Sequence, residues 1–244
     1  RMRDWVYGFF MAWGMFLAIP CPRKIWSESA RQKMLVCMPL VGLLAGGVWA
    51  GAWLLLRGAP GPVRAAVCAA APWLVTGFMH LDGYMDVCDA VLSRRDLATR
   101  QRILKDSHCG AFAVICMVLL AMGQWSLFLA AEDVSWLGLL LIPAATRACA
   151  GLAVLGLRPM GTSQYAAMGP ARGGYGAALW VLLALSVGLP LWLDGSFGPL
   201  AAAAGYGLAV WYGFRNLDGM SGDISGFALT LGELCGCGAA ILWR

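Results

Sequence analysis

Charge is scarce in this sequence. Asp, Glu, Lys and Arg make up 13% of the 244 residues and hydrophobic residues 60%, where soluble domains carry about 25% charge. That deficit excludes an ordinary soluble domain and predicts an all-α, polytopic membrane bundle. Acid is scarcer still, with 13 Asp and Glu against 18 Lys and Arg. The surplus of base does not indicate a nucleic-acid partner, because its placement in particular loops accounts for it. There is no Cys-x-x-Cys, and Cys235-Gly-Cys237 has no histidine nearby, so a soft-metal site is disfavoured. The nine cysteines are an odd number, mostly inside apolar runs, and read as reduced small hydrophobes. No Ala-x-Ala site follows the first apolar run, so no cleavable signal peptide is expected.

Long apolar runs take the place of charge, with a mean hydropathy of +0.71. Seven spans are predicted, at 34–56, 65–81, 109–131, 136–157, 175–193, 200–214 and 224–243. The run 5–19 is shorter than the ~20 residues a crossing needs. It reads as a short N-terminal interfacial or re-entrant helix, with a basic loop following to residue 33. Residues 1–244 read as one membrane-embedded catalytic domain, with a cytoplasmic catalytic loop at 82–107. Glycine is abundant, at 32 residues. Small residues let helices approach closely in lipid, and Gly42-x-x-x-Gly46, Gly47-x-x-x-Gly51 and Gly232-x-x-x-Gly236 have that spacing. Alternating spans put loops 20–33, 82–107, 158–174 and 215–222 on one side. That side carries twelve positive residues (Arg23, Lys24, Arg31, Lys33, Arg94, Arg95, Arg100, Arg102, Lys105, Arg158, Arg172, Arg215) against Arg57, Arg64 and Arg244 opposite. The positive-inside rule makes it cytoplasmic, as expected for a multi-pass protein of a bacterial inner membrane.

Five of the acids, Asp82, Asp86, Asp89, Asp96 and Asp106, fall within residues 76–110. Asp82, Asp86 and Asp89 stand at i, i+4 and i+7, on an arc of roughly 60° of a helix. Like charges at that spacing repel, so a counter-charge is expected. A hard cation such as Mg²⁺, which links carboxylates to substrate phosphates, meets the need. A solvated helix end is the plainer reading. Against it stand the shared arc, the room Gly83 leaves beside Asp82, and the five cations Arg94, Arg95, Arg100, Arg102 and Lys105 that follow. Carboxylates for a metal beside cations for phosphate equip a site for phosphoryl transfer. Lys105-Asp-Ser-x-x-Gly110 is either a phosphate site at a helix start or an N-cap by Asp106 or Ser107. Arg147 is costly in mid-span unless it faces a partner or a polar cavity. A substrate-cavity wall is the favoured reading and a structural ion pair the other. Asp218 and Asp223, among glycines, are either a plain turn or a completion of the site. His80 falls on the face opposite the aspartates, which disfavours it as a metal ligand.

Three segments together carry a resemblance: His80-Leu-Asp-Gly-x-x-Asp-x-x-Asp89, Lys105-Asp-Ser-x-x-Gly-Ala-Phe112, and Ser221-Gly-Asp-x-x-Gly226 with Glu233. The combination closely resembles cobalamin synthase, the adenosylcobinamide-GDP ribazoletransferase family, and the pattern covers nearly the whole chain. Departures are Ala90, His108, Ser221 and Gly236, where Gly, Arg, Thr and a second acid are usual. The resemblance implies transfer of cobinamide phosphate from adenosylcobinamide-GDP to a hydroxyl of α-ribazole or its 5′-phosphate, with release of GMP. It implies Mg²⁺ held by Asp82, Asp86 and Asp89 with Asp223, and Lys105 and Asp106 also in catalysis. His80, Arg94, Arg95, Ser107, Arg147 and Asp218 would contact substrate. The lipid bilayer is the expected setting; docking of other cobalamin-assembly enzymes and self-association stay open. Two alternatives stand beside it, the first another membrane phosphotransferase and the second from a different class. A CDP-alcohol phosphotransferase also uses an Asp-Gly-led signature but has Ala-Arg where Tyr84-Met85 stands. A carboxylate-relay cation transporter places its charges near the midplane.

Overall fold

Backbone polar groups have no water to bond with inside a bilayer, so helices must satisfy them internally. The computed structural model describes residues 2–161, 163, 165 and 174–243; of the loop charges, Arg172 and Arg244 lie outside them. Ten α-helices and no strand occur among the described residues: α1 Met2–Phe16, α2 Arg31–Leu55, α3 Gly61–Val75, α4 Met79–Leu92, α5 Leu97–Ile103, α6 Ala111–Ala130, α7 Trp136–Gly156, α8 Tyr175–Leu193, α9 Gly198–Leu217 and α10 Gly222–Leu242. Five of them are long and apolar enough to cross a membrane, or six if the bent pair α3 and α4 counts as one span. Seven were expected. The span expected at 200–214 exists as α9, but its glycines, tyrosines and Arg215 dilute the apolar run. α1 has 15 residues, about 22 Å of helix, less than the ~30 Å hydrocarbon core.

The second predicted span is two helices. The apolar run 65–81 breaks after Val75, and α3 and α4 meet at 91°. Gly77 and Phe78 both take left-handed conformations, φ 61° and 64°, which ends α3. The Gly77 and Phe78 N–H groups donate back to Leu74 O and Trp73 O, and the Thr76 hydroxyl donates to Pro72 O at 3.0 Å. The Ala18 N–H donates to Val75 O at 2.8 Å, so the end of α1 is bonded to the break. The stretch 82–107 is accordingly helical over most of its length, in α4 and α5.

α2, α7 and α10 form the centre, with 67–72% of each apolar stretch buried, whereas α6 and α8 bury only 22% and 17% and leave the rest exposed on the outside of the bundle. Two glycine pairs work as predicted. A Cβ on Gly42 would stand 2.5 Å from Pro143 O, and one on Gly46 would collide with Leu140 O, so α2 lies directly on the backbone of α7. Gly232 and Gly236 admit Ala202 of α9 in the same way. Among the described residues nothing packs on Gly47 or Gly51, where an added Cβ would meet open space.

Arg147 corrects the favoured expectation. It is 1% exposed and donates to Glu233 Oε1 at 2.7 Å and to Pro143 O at 3.2 Å. The pair joins α7 to α10. Its neighbour is an acid from another span, which the linear sequence does not bring beside it.

Two outcomes follow for thermal unfolding in detergent. Gly46→Val should cost at least about 1–3 kcal/mol, while Gly47→Val should stay within about 0.5 kcal/mol of the parent. Glu233→Gln strands a buried guanidinium and should cost about 3–5 kcal/mol; Arg147→Met with Glu233→Leu should recover most of it.

Candidate active site

The acidic row belongs to α4, which begins at Met79, just past the break. α4 crosses the start of α10, and glycine sets how near the two come. A Cβ on Gly83 would be 2.8 Å from Asp223 O and 2.9 Å from its Cα; one on Gly226 would be 3.0 Å from His80 O. The backbones therefore touch, and the Thr230 hydroxyl donates to His80 O at 3.3 Å. Asp223 sits in the first turn of α10, where the helix dipole favours a carboxylate. Ser221 caps that turn, accepting from Ile224 N at 3.3 Å. Ahead of it, Met220 N donates to Arg158 O at 2.9 Å and Met160 N to Met220 O at 2.8 Å. Gly219, at φ 147°, passes against Met160 where no side chain would fit. The start of α10 is thus fixed to the loop after α7.

Beside this crossing lies a cavity of about 290 Å³. Phe16, Arg31, Met34, Met38, His80, Asp82, Tyr165, Asp223 and Leu229 are among its walls. Asp82 is exposed at its rim and Asp223 half-buried. Asp82, Asp89 and Asp223 all lie within electrostatic reach of Asp86. Neither Asp82 nor Asp86 has a basic partner among the described residues. Tyr165 stands in the loop after α7; burial and the nearby Asp223 push its phenol up to about 12, so it meets the cavity as a hydrogen-bond donor.

The expected four-aspartate metal cage does not close. Among the described residues, no three His, Cys, Asp or Glu side chains gather closely enough to hold an ion. One arc of a helix still runs lengthwise, and seven residues rise about 10 Å. Asp89 is directed elsewhere. Its carboxylate accepts from Gly110 N at 2.6 Å and Ala113 N at 2.9 Å, capping α6 from a different helix. That is the cap the sequence reading looked for in Asp106 or Ser107. Asp106 instead accepts from His108 Nδ1 at 2.6 Å on an exposed turn, and Ser107 is exposed beside it.

Arg94, Arg95 and Lys105 are exposed and do not line the cavity. Arg100 donates to Asn216 Oδ1 at 2.9 Å, docking α5 on the end of α9. Asp218 pairs with Arg158 at 2.5 Å outside the cavity. Arg147 also lies outside its walls. His80 is there, 8% exposed, and among the described residues its Nε2 has no hydrogen-bond partner. Sequence reading passed over Arg31, Tyr165 and Phe16. Arg31 was merely one of the twelve loop cations, and its place at the start of α2 beside the break in another span has no linear signal.

Comparison with known proteins agrees with the resemblance. Residues 8–241 match the family described as Cobalamin-5-phosphate synthase. A protein of Clostridium botulinum named adenosylcobinamide-GDP ribazoletransferase is 32% identical, over 99% of this chain and all of its own length. One of the same name from Clostridium perfringens is 33% identical over 93% of this chain and 94% of its own, and one from Geobacillus thermodenitrificans 30% over 99% and 95%. No solved structure gives a significant match. With family and relatives both spanning almost the full length, and the motif acids meeting across α4 and α10, the chain belongs to the cobalamin-5-phosphate synthase family of transferases.

Proposed function

We propose that this chain joins adenosylcobinamide-GDP to α-ribazole, or to α-ribazole 5′-phosphate, releasing GMP by Mg²⁺-dependent phosphoryl transfer at the cytoplasmic face of a bacterial inner membrane. The observation that carries the reading is the meeting of Asp82 and Asp223, from two crossing helices, on one cavity, with no basic partner among the described residues. Mg²⁺ is commonly held by only one or two carboxylates, the rest of its shell being water and substrate phosphate. An open pair of acids suits that cation better than it would suit a metal needing a full protein cage. Asp82 and Asp223 would hold it, with Asp86 next in reach. Bound there, it would neutralise charge developing on the pyrophosphate.

The remaining work falls to side chains. Arg31 on the cavity wall, and Arg94, Arg95 and Lys105 beyond the end of α4, would bind nucleotide phosphates. A ribose hydroxyl of the nucleoside attacks the phosphorus that carries cobinamide. The bond from that phosphorus to the bridging oxygen breaks, and GMP leaves with the oxygen and its electron pair. The hydroxyl proton passes to an aspartate not engaged with the metal, for which Asp86 is suited because no described residue hydrogen-bonds to its carboxylate. The loop charges favour a cytoplasmic site, where the nucleotide substrate is found.

Purified protein given both substrates and Mg²⁺ should yield GMP and the joined cobamide. Asp82→Asn and Asp223→Asn should each lower turnover by roughly 10²–10³-fold without altering the elution of folded protein in detergent. Chelation should stop the wild-type reaction and added Mg²⁺ restore it. Full turnover after exhaustive chelation would remove the metal from the reading.

A further inference from the structure

We infer that the cavity between α1, α2, α4 and α10 is the pocket for the aryl nucleoside, α-ribazole, and that His80 Nε2 binds the free ring nitrogen of its base. The assignment rests on the proposed reaction and goes past it by deciding which of two very unequal substrates the cavity takes. Size decides first. At about 290 Å³ the cavity is at the small end of ligand sites, roughly 300–1,000 Å³. A benzimidazole riboside matches that volume. A corrin ring with its amide arms and a nucleotide is several times too large, so the cobinamide half must approach from outside.

The chemistry of the walls points the same way. Phe16 and His80 stack, ring centroids 6.4 Å apart and 29° between planes, giving a flat aromatic surface of the kind a fused ring packs against. Met34 and Met38 face the same space with side chains that adjust to a ligand's outline. His80 is 92% buried by its 8% exposure, yet its Nε2 has no partner among the described residues. A buried ring nitrogen left unbonded is unfavourable. Through its second ring nitrogen, a benzimidazole already joined to ribose offers one acceptor on an otherwise apolar frame. A neutral histidine Nε2–H is the single donor that frame requires. Asp82 and Asp223 line the same cavity, so a base seated against His80 has its sugar hydroxyls toward the carboxylates.

His80→Phe keeps a flat ring and removes the nitrogen; Met38→Trp fills the space. Each should raise KM for α-ribazole about tenfold or more, leaving KM for adenosylcobinamide-GDP within about twofold. A rise confined to the corrinoid substrate, or no change for either, would overturn the assignment. Should a variant not fold, the wild type still decides. A photoreactive α-ribazole analogue should attach to α1 and α2 around Phe16, Met34 and Met38, and attachment confined to other helices would overturn it. Wild-type protein that makes no GMP from the two substrates refutes the proposed reaction. Wild-type turnover with misplaced labelling refutes only the pocket.

Discussion

Contact between the backbones of α4 and α10 is the constraint on which the site depends. Side-chain packing normally holds helices 8–10 Å apart. Here Gly83 and Gly226 let α4 touch the first turns of α10, and that approach carries Asp223 to the acids of α4. Coulomb repulsion opposes it, more strongly where protein and lipid lower the dielectric. Neutral bonds hold it in place: the Ser221 cap, the Thr230 bond to His80 O, and the pairing of Met220 with residues 158 and 160. The rest of the fold supplies the energy that keeps like charges together, leaving a cation or a proton to relieve them.

The broken second span gives the crossing its position. Unwound backbone within a membrane protein is tolerated where it is buried or lines a cavity, and transporters use such breaks to place ion sites at mid-bilayer. This break has its polar groups satisfied locally, by Leu74 O, Trp73 O and Pro72 O. Its effect is to turn α4 by 91°, so that the acidic row lies across the start of α10 instead of continuing along the bundle axis. The feature that would favour a transporter on geometry alone therefore serves, in a chain of this family, to aim carboxylates at a nucleoside-sized cavity.

Composition and apolar run length made the helical membrane fold legible, because lipid admits few alternatives. The Gly42 and Gly46 pair was legible for the same reason. The break at Gly77 and Phe78 was not, since residues 65–81 read as one uninterrupted apolar run and two left-handed residues leave no hydropathy signal. Asp82, Asp86 and Asp223 were legible as chemistry through the motifs that carry them. Their roles were separable only in three dimensions. Helical periodicity puts Asp89 on the same arc as Asp82, and nothing in it reveals that Gly110 and Ala113 will present their N–H groups there. Arg147 illustrates the converse: an intramembrane charge demands a partner, but the sequence cannot tell Glu233 from a substrate.

How each charge is satisfied separates scaffold from site. Glu233 has Arg147, Asp4 has Lys33, Asp218 has Arg158, and Asp89 has two backbone N–H groups. In each the protein itself completes the bond, and the residue fastens one element to another. Asp82 and Asp223 are the acids of the cavity, and their crossing helices present no cation to them. Among the described residues, Arg31 is the one Lys or Arg on the cavity wall, and it donates to Glu28 at 3.1 Å, away from the aspartates. A cavity that keeps its acids apart from its base retains binding capacity of both signs. The metal-bound phosphate substrate proposed for it would use both, since a cation needs carboxylates and a phosphate a guanidinium. An ion pair between them would have stabilised the fold and closed the site.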